Sequence, residues 1–244
     1  MKGDFKITLA YLKEIGACRD GQRAFQKAFP DGAGYQEVLD RCAEEDRADF
    51  GLWLLDKLGP TEDVRVYKEN VNTLDKPIIF AGRMEFRLGV VSKRLIAGRG
   101  IKAGWGIEAG LGIEAGEGIK AGRGIKAGLG IKAGWGIEAG LGIKAGLGIK
   151  AGLGIKAGEG IKAGEGIKAG WGIEAGWGIK AGEGIKAGEG IKAGLGIEAG
   201  DDFGIYAGLR VRVSQKELYA IVSAKVKPNN LFCGVWKELK GTSE

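Results

Sequence analysis

The chain has 244 residues, a net charge of +6, 48 glycines, three cysteines and no histidine. The missing imidazole excludes histidine-based catalysis and histidine-ligated metal sites, and so large a glycine excess calls for a repeat architecture or disorder. The modest positive charge permits an anionic partner without requiring one.

Residues 1–60 read as a small helical module. "DFKITLAYLKEIGA" places Phe5, Leu9, Leu12 and Ile15 at helical spacing. "RDGQRAFQKAFPDG" follows, with Asp20 as the expected N-cap, Phe25 and Phe29 four apart, and Pro30-Asp31-Gly32 as a stop and turn. "YQEVLDRCAEEDRADFGLWLLDKLGP" reads as two shorter helices ending at Gly59-Pro60. About sixty residues make only a small core, so docking onto the rest of the chain is expected. Apolar residues near the start are interrupted by charge, and no apolar run reaches about 18 residues, so neither a signal peptide nor a membrane span is expected. Three cysteines without metal-type spacing fit reduced thiols in the cytoplasm.

Residues 61–94 change character. "DVRVY", "PIIFAG" and "MEFRLGVV" are short, β-branched or aromatic and partly alternating, as strands leading into the next segment should be. After the repeat, residues 214–244 supply further strands or a cap. "IYAGLRVRVS", "LYAIVSAKV" and "LFCGVWKE" all read as strands, with Pro228-Asn229-Asn230 as a turn.

Between the flanks, residues 95–213 are dominated by I-[K/E]-A-G-x-G, repeated without interruption in sixteen copies from Ile101 to Gly196. Two glycines in six residues would each weaken a helix by roughly 1 kcal/mol, and collagen needs glycine at every third position. A flexible linker would have no reason to hold Ile and Ala at fixed spacing. A triangular β-solenoid accounts for all six positions. Ile and Ala, two apart, point inward from a short strand, while the Lys or Glu between them faces water. Gly-x-Gly turns the corner, where glycine is expected for its backbone freedom, and the variable fifth residue points outward. Three units would close a coil of about eighteen residues, each coil advancing about 4.8 Å. The fold class is thus mainly β: a single-stranded solenoid with a helical N-terminal module and short capping strands.

Read from Ala, as in "AGEGIK" from Ala115, the unit resembles the I-G-x-G-[S/T]-x phrase of the hexapeptide-repeat family, with large and small inward residues exchanged. That family implies a left-handed parallel β-helix, commonly trimeric. The "GIKAG" phrase also resembles strands of bactofilins, polymer-forming cytoskeletal proteins with a right-handed β-helix. Of the two hands the left is favoured. "ACRDGQRAFQKAFPDG" is similar to small N-terminal modules of bacterial and phage-encoded proteins. Hexapeptide-repeat acyltransferases use a histidine base, and related carbonic anhydrases hold zinc with three histidines. Neither set has a counterpart in this chain.

Other chemistry is equally sparse. Glu108, Glu114 and Glu117 lie among interleaved lysines and read as a solvated surface. Cys18 and Cys42 fall on apolar helical faces and read as structural thiols. "GRGIKAG" lacks the phosphate-loop arrangement, and the repeat offers no threonine array for ice binding. No enzyme activity, cofactor, metal or small-molecule substrate is expected.

The outer surface is more informative. With an eighteen-residue coil, Lys126, Lys144, Lys162 and Lys180 stack in one column, and Lys132, Lys150, Lys168 and Lys186 in another. Stacked like charges repel, and Glu159, Glu165, Glu183 and Glu189 at nearby corners are expected to offset them. The columns read as a solvated surface that discourages edge pairing, or as a track for nucleic acid or another polyanion. Outward Trp105, Trp135, Leu141, Leu147, Leu153, Trp171 and Trp177 suggest a contact surface, for self-association, for cover by the flanking domains or for another protein. The expectation is a cytoplasmic structural or interaction protein, oligomeric and with a phage or prophage origin suggested by the module. The alternatives are a polyanion-binding solenoid and a bactofilin-like polymer.

Overall fold

The computed structural model describes residues 6–239. The chain first pairs β1 (Lys6–Ile7) antiparallel with β2 (Ala33–Gly34), around four helices: α1 (Leu9–Glu14), α2 (Arg19–Ala28), α3 (Tyr35–Glu44) and α4 (Ala48–Leu58). Phe5 lies outside the described residues. Thr8 caps α1 by accepting the Tyr11 N–H at 3.2 Å. The expected cap of α2 moves: Cys18, not Asp20, is its N-cap, with the sulfur 3.4 Å from the Gly21 N–H and Asp20 in the first turn. Helix α4 ends where Gly59 takes φ 74°, a conformation open to glycine, and Pro60 prevents continuation.

From β3 (Val64–Tyr67), β4 (Val71–Thr73) and β5 (Ile78–Phe80) onward, every strand joins one of three parallel sheets with ten, eight and nine members, hereafter the first, second and third faces. Successive strands visit the faces in turn as far as Ile221–Ala224, after which Leu231–Cys233 returns to the third face and Val235–Glu238 to the first, making a solenoid of about ten turns. At about 4.8 Å per strand its length is about 45 Å. The register is in phase throughout the repeat: Ile149 lies between Ile131 and Ile167, Lys150 between Lys132 and Lys168, and Ala151 between Ala133 and Ala169. Every Ile and Ala of the sixteen repeats is buried in one continuous core. Burying an isoleucine side chain stabilises by about 1.5–3 kcal/mol. The intervening Lys or Glu is exposed in nearly every strand.

Corners are bonded as thoroughly as strands. The Trp135 N–H donates to the Glu117 carbonyl at 3.2 Å, Leu153 to Trp135 at 3.0 Å and Trp171 to Leu153 at 3.3 Å. Glycine does a different job there from the one its backbone freedom suggested. None of the repeat glycines takes a left-handed φ. The requirement is space: a Cβ on Gly152 would lie 1.9 Å from the Gly134 carbonyl oxygen, and one on Gly134 1.9 Å from that of Gly116. The repeat's second glycine is less constrained, with 3.4 Å between a Cβ on Gly154 and the Gly172 oxygen.

The ends are irregular. Tyr67 stacks on Phe86 at 4.5 Å, and Arg65 lies over the Phe80 ring while pairing with Asp40 at 3.2 Å. A charged residue turned toward the core end is a feature that deters further strand pairing. At the other end Leu231 and Trp236 pack against the core. Two expected strands there are partly replaced: Val213–Gln215 forms a 3-10 turn and α5 (Lys216–Tyr219) a short helix, before strands Ile221–Ala224, Leu231–Cys233 and Val235–Glu238.

The helical module docks as expected, on the third face. Ile79 and Ile96 occupy the outward strand position that Lys or Glu fills in the repeat, yet both are buried in one cluster with Leu39, Val38 and Leu54.

Candidate interaction surface

The first corner carries Trp105, Arg123, Leu141, Glu159, Trp177 and Leu195, joined in that order by corner hydrogen bonds. The second carries Leu111, Leu129, Leu147, Glu165 and Glu183, and the third Glu117, Trp135, Leu153, Trp171 and Glu189. All point outward. Trp105, Trp135, Trp171 and Trp177 are 42%, 54%, 51% and 57% exposed, Leu141 and Leu147 are exposed, and Leu153 is half-buried. The three consecutive leucines 141, 147 and 153 therefore sit one to each corner and do not form a single patch. Along an edge the grouping differs: Leu111-Leu129-Leu147 on the second corner and Trp135-Leu153-Trp171 on the third are unbroken apolar columns. On the first corner Arg123 lies over Trp105 at 4.9 Å and Glu159 interrupts the column. The helical module packs on Ile79 and Ile96 of the third face.

Both lysine columns form, on adjacent faces. Lys126, Lys144, Lys162 and Lys180 are register partners down the second face, and Lys132, Lys150, Lys168 and Lys186 down the third. Their neutralisation departs from expectation. Glu159, Glu165, Glu183 and Glu189 make no ion pair with them among the described residues. Instead the column on the second face is closed at its ends, Lys126 by Glu108 at 2.6 Å and Lys180 by Glu198 at 2.5 Å. Lys186 lies 5.6 Å from the Tyr206 ring. The first face is mixed: Lys120 meets Glu138 at 3.0 Å, and Glu174 lies between Lys156 and Lys192 at 3.9 and 3.8 Å. Such exposed pairs each contribute little to stability. Shallow open grooves follow the three faces between these charge rows and the corner ahead of each.

Reactive groups are dispersed. Glu117 is held by Arg99 at 2.9 Å and Arg83 at 3.2 Å, and Arg99 also bonds the Thr61 carbonyl at 2.8 Å, tying the corner to the linker after α4. Cys18 is exposed, contrary to its expected place on a buried helical face. Cys42 is half-buried, its thiol pushed up to about 11 by burial and then by Glu45 and Asp49. No cluster of three metal-ligating side chains occurs among the described residues. A separate apolar cavity opens inside the helical module, lined by Leu12, Phe25, Phe29, Val38 and Trp53 beside both Cys18 and Cys42. Sequence periodicity gave no sign of it, because it forms between helices and not along one.

Among the described residues no helix is long and apolar enough to cross a membrane. Searches of curated proteins and of solved structures find no match. Residues 1–58 match the family model described as the YdhT N-terminal domain, a match that covers the four-helix module and stops before the solenoid.

Proposed function

We propose that this chain is a non-enzymatic structural or interaction protein of the cytoplasm: a short rigid rod, headed by a helical domain, that associates with copies of itself through its corners. The observation that carries this reading is the exposure of large apolar side chains on a scaffold with no need of them. Trp135 and Trp171 contribute nothing to the Ile/Ala core, and clustered exposed apolar groups mark contact surfaces. Sedimentation equilibrium of the full chain tests it. A discrete small oligomer is expected; a monomer up to about 100 μM would overturn the reading. Finite assembly, in place of a bactofilin-like filament, is supported by the helical module and Gln36 occupying the edge of β5. A phage or prophage source, with a host protein as a further partner, enters only through the module's resemblance.

The adjacent lysine columns favour a second reading, binding of a polyanion along the second and third faces. Lys144, Lys150, Lys162 and Lys168 form no ion pair among the described residues, while the first face is internally paired. Titration with DNA and RNA at increasing salt checks it, with affinity expected to fall steeply as salt rises. No binding at low ionic strength would remove this reading.

A further inference from the structure

We infer that the self-association proposed above runs along the third corner, with a second copy of this chain lying parallel and in register against Trp135, Leu153 and Trp171. The inference rests on that proposal and adds its surface and its direction. The apex of this corner is the only column among the three with two half-exposed tryptophans in an unbroken apolar run, and tryptophan is the residue type that most often anchors an interface. Glu117 and Glu189 bound the run at either end.

Direction follows from the flanks. One side of the corner is the third face and presents Lys132, Lys150 and Lys168; the other is the first face and presents Glu138, Lys156 and Glu174, each at the height of one apex residue. If two copies meet apex to apex in parallel, the third face of each meets the first face of the other. Lys132 then faces Glu138 of the second copy and Lys168 faces Glu174, in both directions; among these flanks only Lys150 and Lys156 oppose like charge, and at the ends of the apex Glu117 and Glu189 each meet their own counterpart. Turned antiparallel about Leu153, the same surfaces bring Lys132 against Lys168, Lys150 against Lys150, Glu138 against Glu174 and Lys156 against Lys156. Every one of these facing pairs is then repulsive, and one coil further out only Glu114 against Lys186 attracts, so that arrangement is disfavoured. Glu138 and Glu174 keep side-chain exposures of 52% and 49% despite their intrachain partners, so both are open to a second cation.

The leucine column on the second corner is the competing seam. Its apex residues are smaller and Leu111 is half-buried; a parallel pair would set Lys126 against Lys132 and Lys144 against Lys150, and although an antiparallel pair about Leu129 would bring Glu108 to Lys144 and Glu114 to Lys150, it has no tryptophan to anchor it. An exposed tryptophan offers about 100 Å² and the third-corner apex about 500 Å² over two copies. That is below the roughly 1,000 Å² of a stable interface, so the charged flanks must take part and micromolar affinity is expected.

Cysteine cross-linking tests orientation directly, in a full-length background of Cys18→Ser, Cys42→Ala and Cys233→Ser shown by circular dichroism to keep the fold. Leu153→Cys should form a disulfide dimer on oxidation in either orientation. Glu189→Cys should do so only in a parallel pair, because in the antiparallel one the two sites lie about 19 Å apart. Cross-linking of both is expected; cross-linking of Leu153→Cys alone, or of neither while the protein is oligomeric, overturns the inference and leaves self-association standing. A monomeric wild type removes both. A cysteine-independent arm covers loss of the fold in the altered background. Lys132→Glu with Lys168→Glu should weaken association at least tenfold, and adding Glu138→Lys with Glu174→Lys should restore it. An unchanged affinity in the first variant also overturns the inference.

Discussion

The side-chain amide of Gln36 sits on the open edge of the third face and bonds it as a neighbouring strand would. Its Nε2 donates to the Ile79 carbonyl at 2.9 Å, and its Oε1 accepts the Ala81 N–H at 2.9 Å. The same Nε2 also reaches Asp40 at 2.8 Å, and Asp40 holds Arg65. One helix residue thereby ends a sheet and joins it to the end of the core.

Gln36→Ala should therefore act at a distance from its own helix. Two backbone groups of the sheet edge lose their partner in a partly buried setting, at a cost of about 1–3 kcal/mol. Hydrogen exchange should show faster exchange at Ala81, with protection in the middle coils unchanged. An unchanged Ala81 would refute the capping role.

The two glycines of a repeat should differ sharply in tolerance. Gly152→Ala forces a Cβ to 1.9 Å from a backbone oxygen fixed by stacking, and no side chain can move to relieve it. Gly154→Ala meets a backbone oxygen at 3.4 Å. The first should cost about 3 kcal/mol or more and the second less than about 1 kcal/mol, read from urea midpoints. Equal costs would mean that backbone angles, not stacking distance, make glycine necessary.

A single strand separates core from surface. Ile149→Ala opens a cavity between Ile131 and Ile167 and should cost about 2–5 kcal/mol. Lys150→Ala, one residue on and facing water, should change stability by less than about 0.5 kcal/mol. Relief of repulsion within its column would make the change slightly favourable.

The two helical-module cysteines should differ in reactivity and in pH dependence. At pH 8, alkylation should label exposed Cys18 well before half-buried Cys42. The Cys42 thiol is raised in the folded protein, from 9.0 to about 11, so its contribution to stability is complete below about pH 9 and lost as pH rises through 11. The stability difference between wild type and Cys42→Ala should narrow over that interval, by up to about 2 kcal/mol. A constant difference would show that the thiol is not held in its neutral form by burial.

Legibility varied along the chain for physical reasons. In the repeat, Ile-x-Ala alternation tells inside from outside within three residues, and six-residue phrasing places every residue above its counterpart in the next coil. The outward corners and the lysine columns were accordingly visible without coordinates. The cap of α2 was not, because Cys18 and Asp20 are both near enough to the helix start and only local geometry chooses between them. Nor was the break before Ile221, where the alternating Arg and Val of residues 210–213 imitate a strand but the chain goes into the 3-10 turn Val213–Gln215 and the short helix α5.

What the amino-acid order determined by itself is the coil: its period, its inward residues and the column in which each outward residue stands. These follow from contacts between like phrases at a constant offset, so any local stretch encodes them. Only the tertiary structure decided where the helical module sits, that Ile79 and Ile96 leave the outward pattern to receive it, and that Gln36 closes the sheet edge. Those contacts join unlike segments some forty residues apart, where no repeated spacing exists to announce them. The same distinction governs glycine. Its regular position was evident from the text, but the reason, a carbonyl of the preceding coil too close for any Cβ, exists only once the coils are stacked.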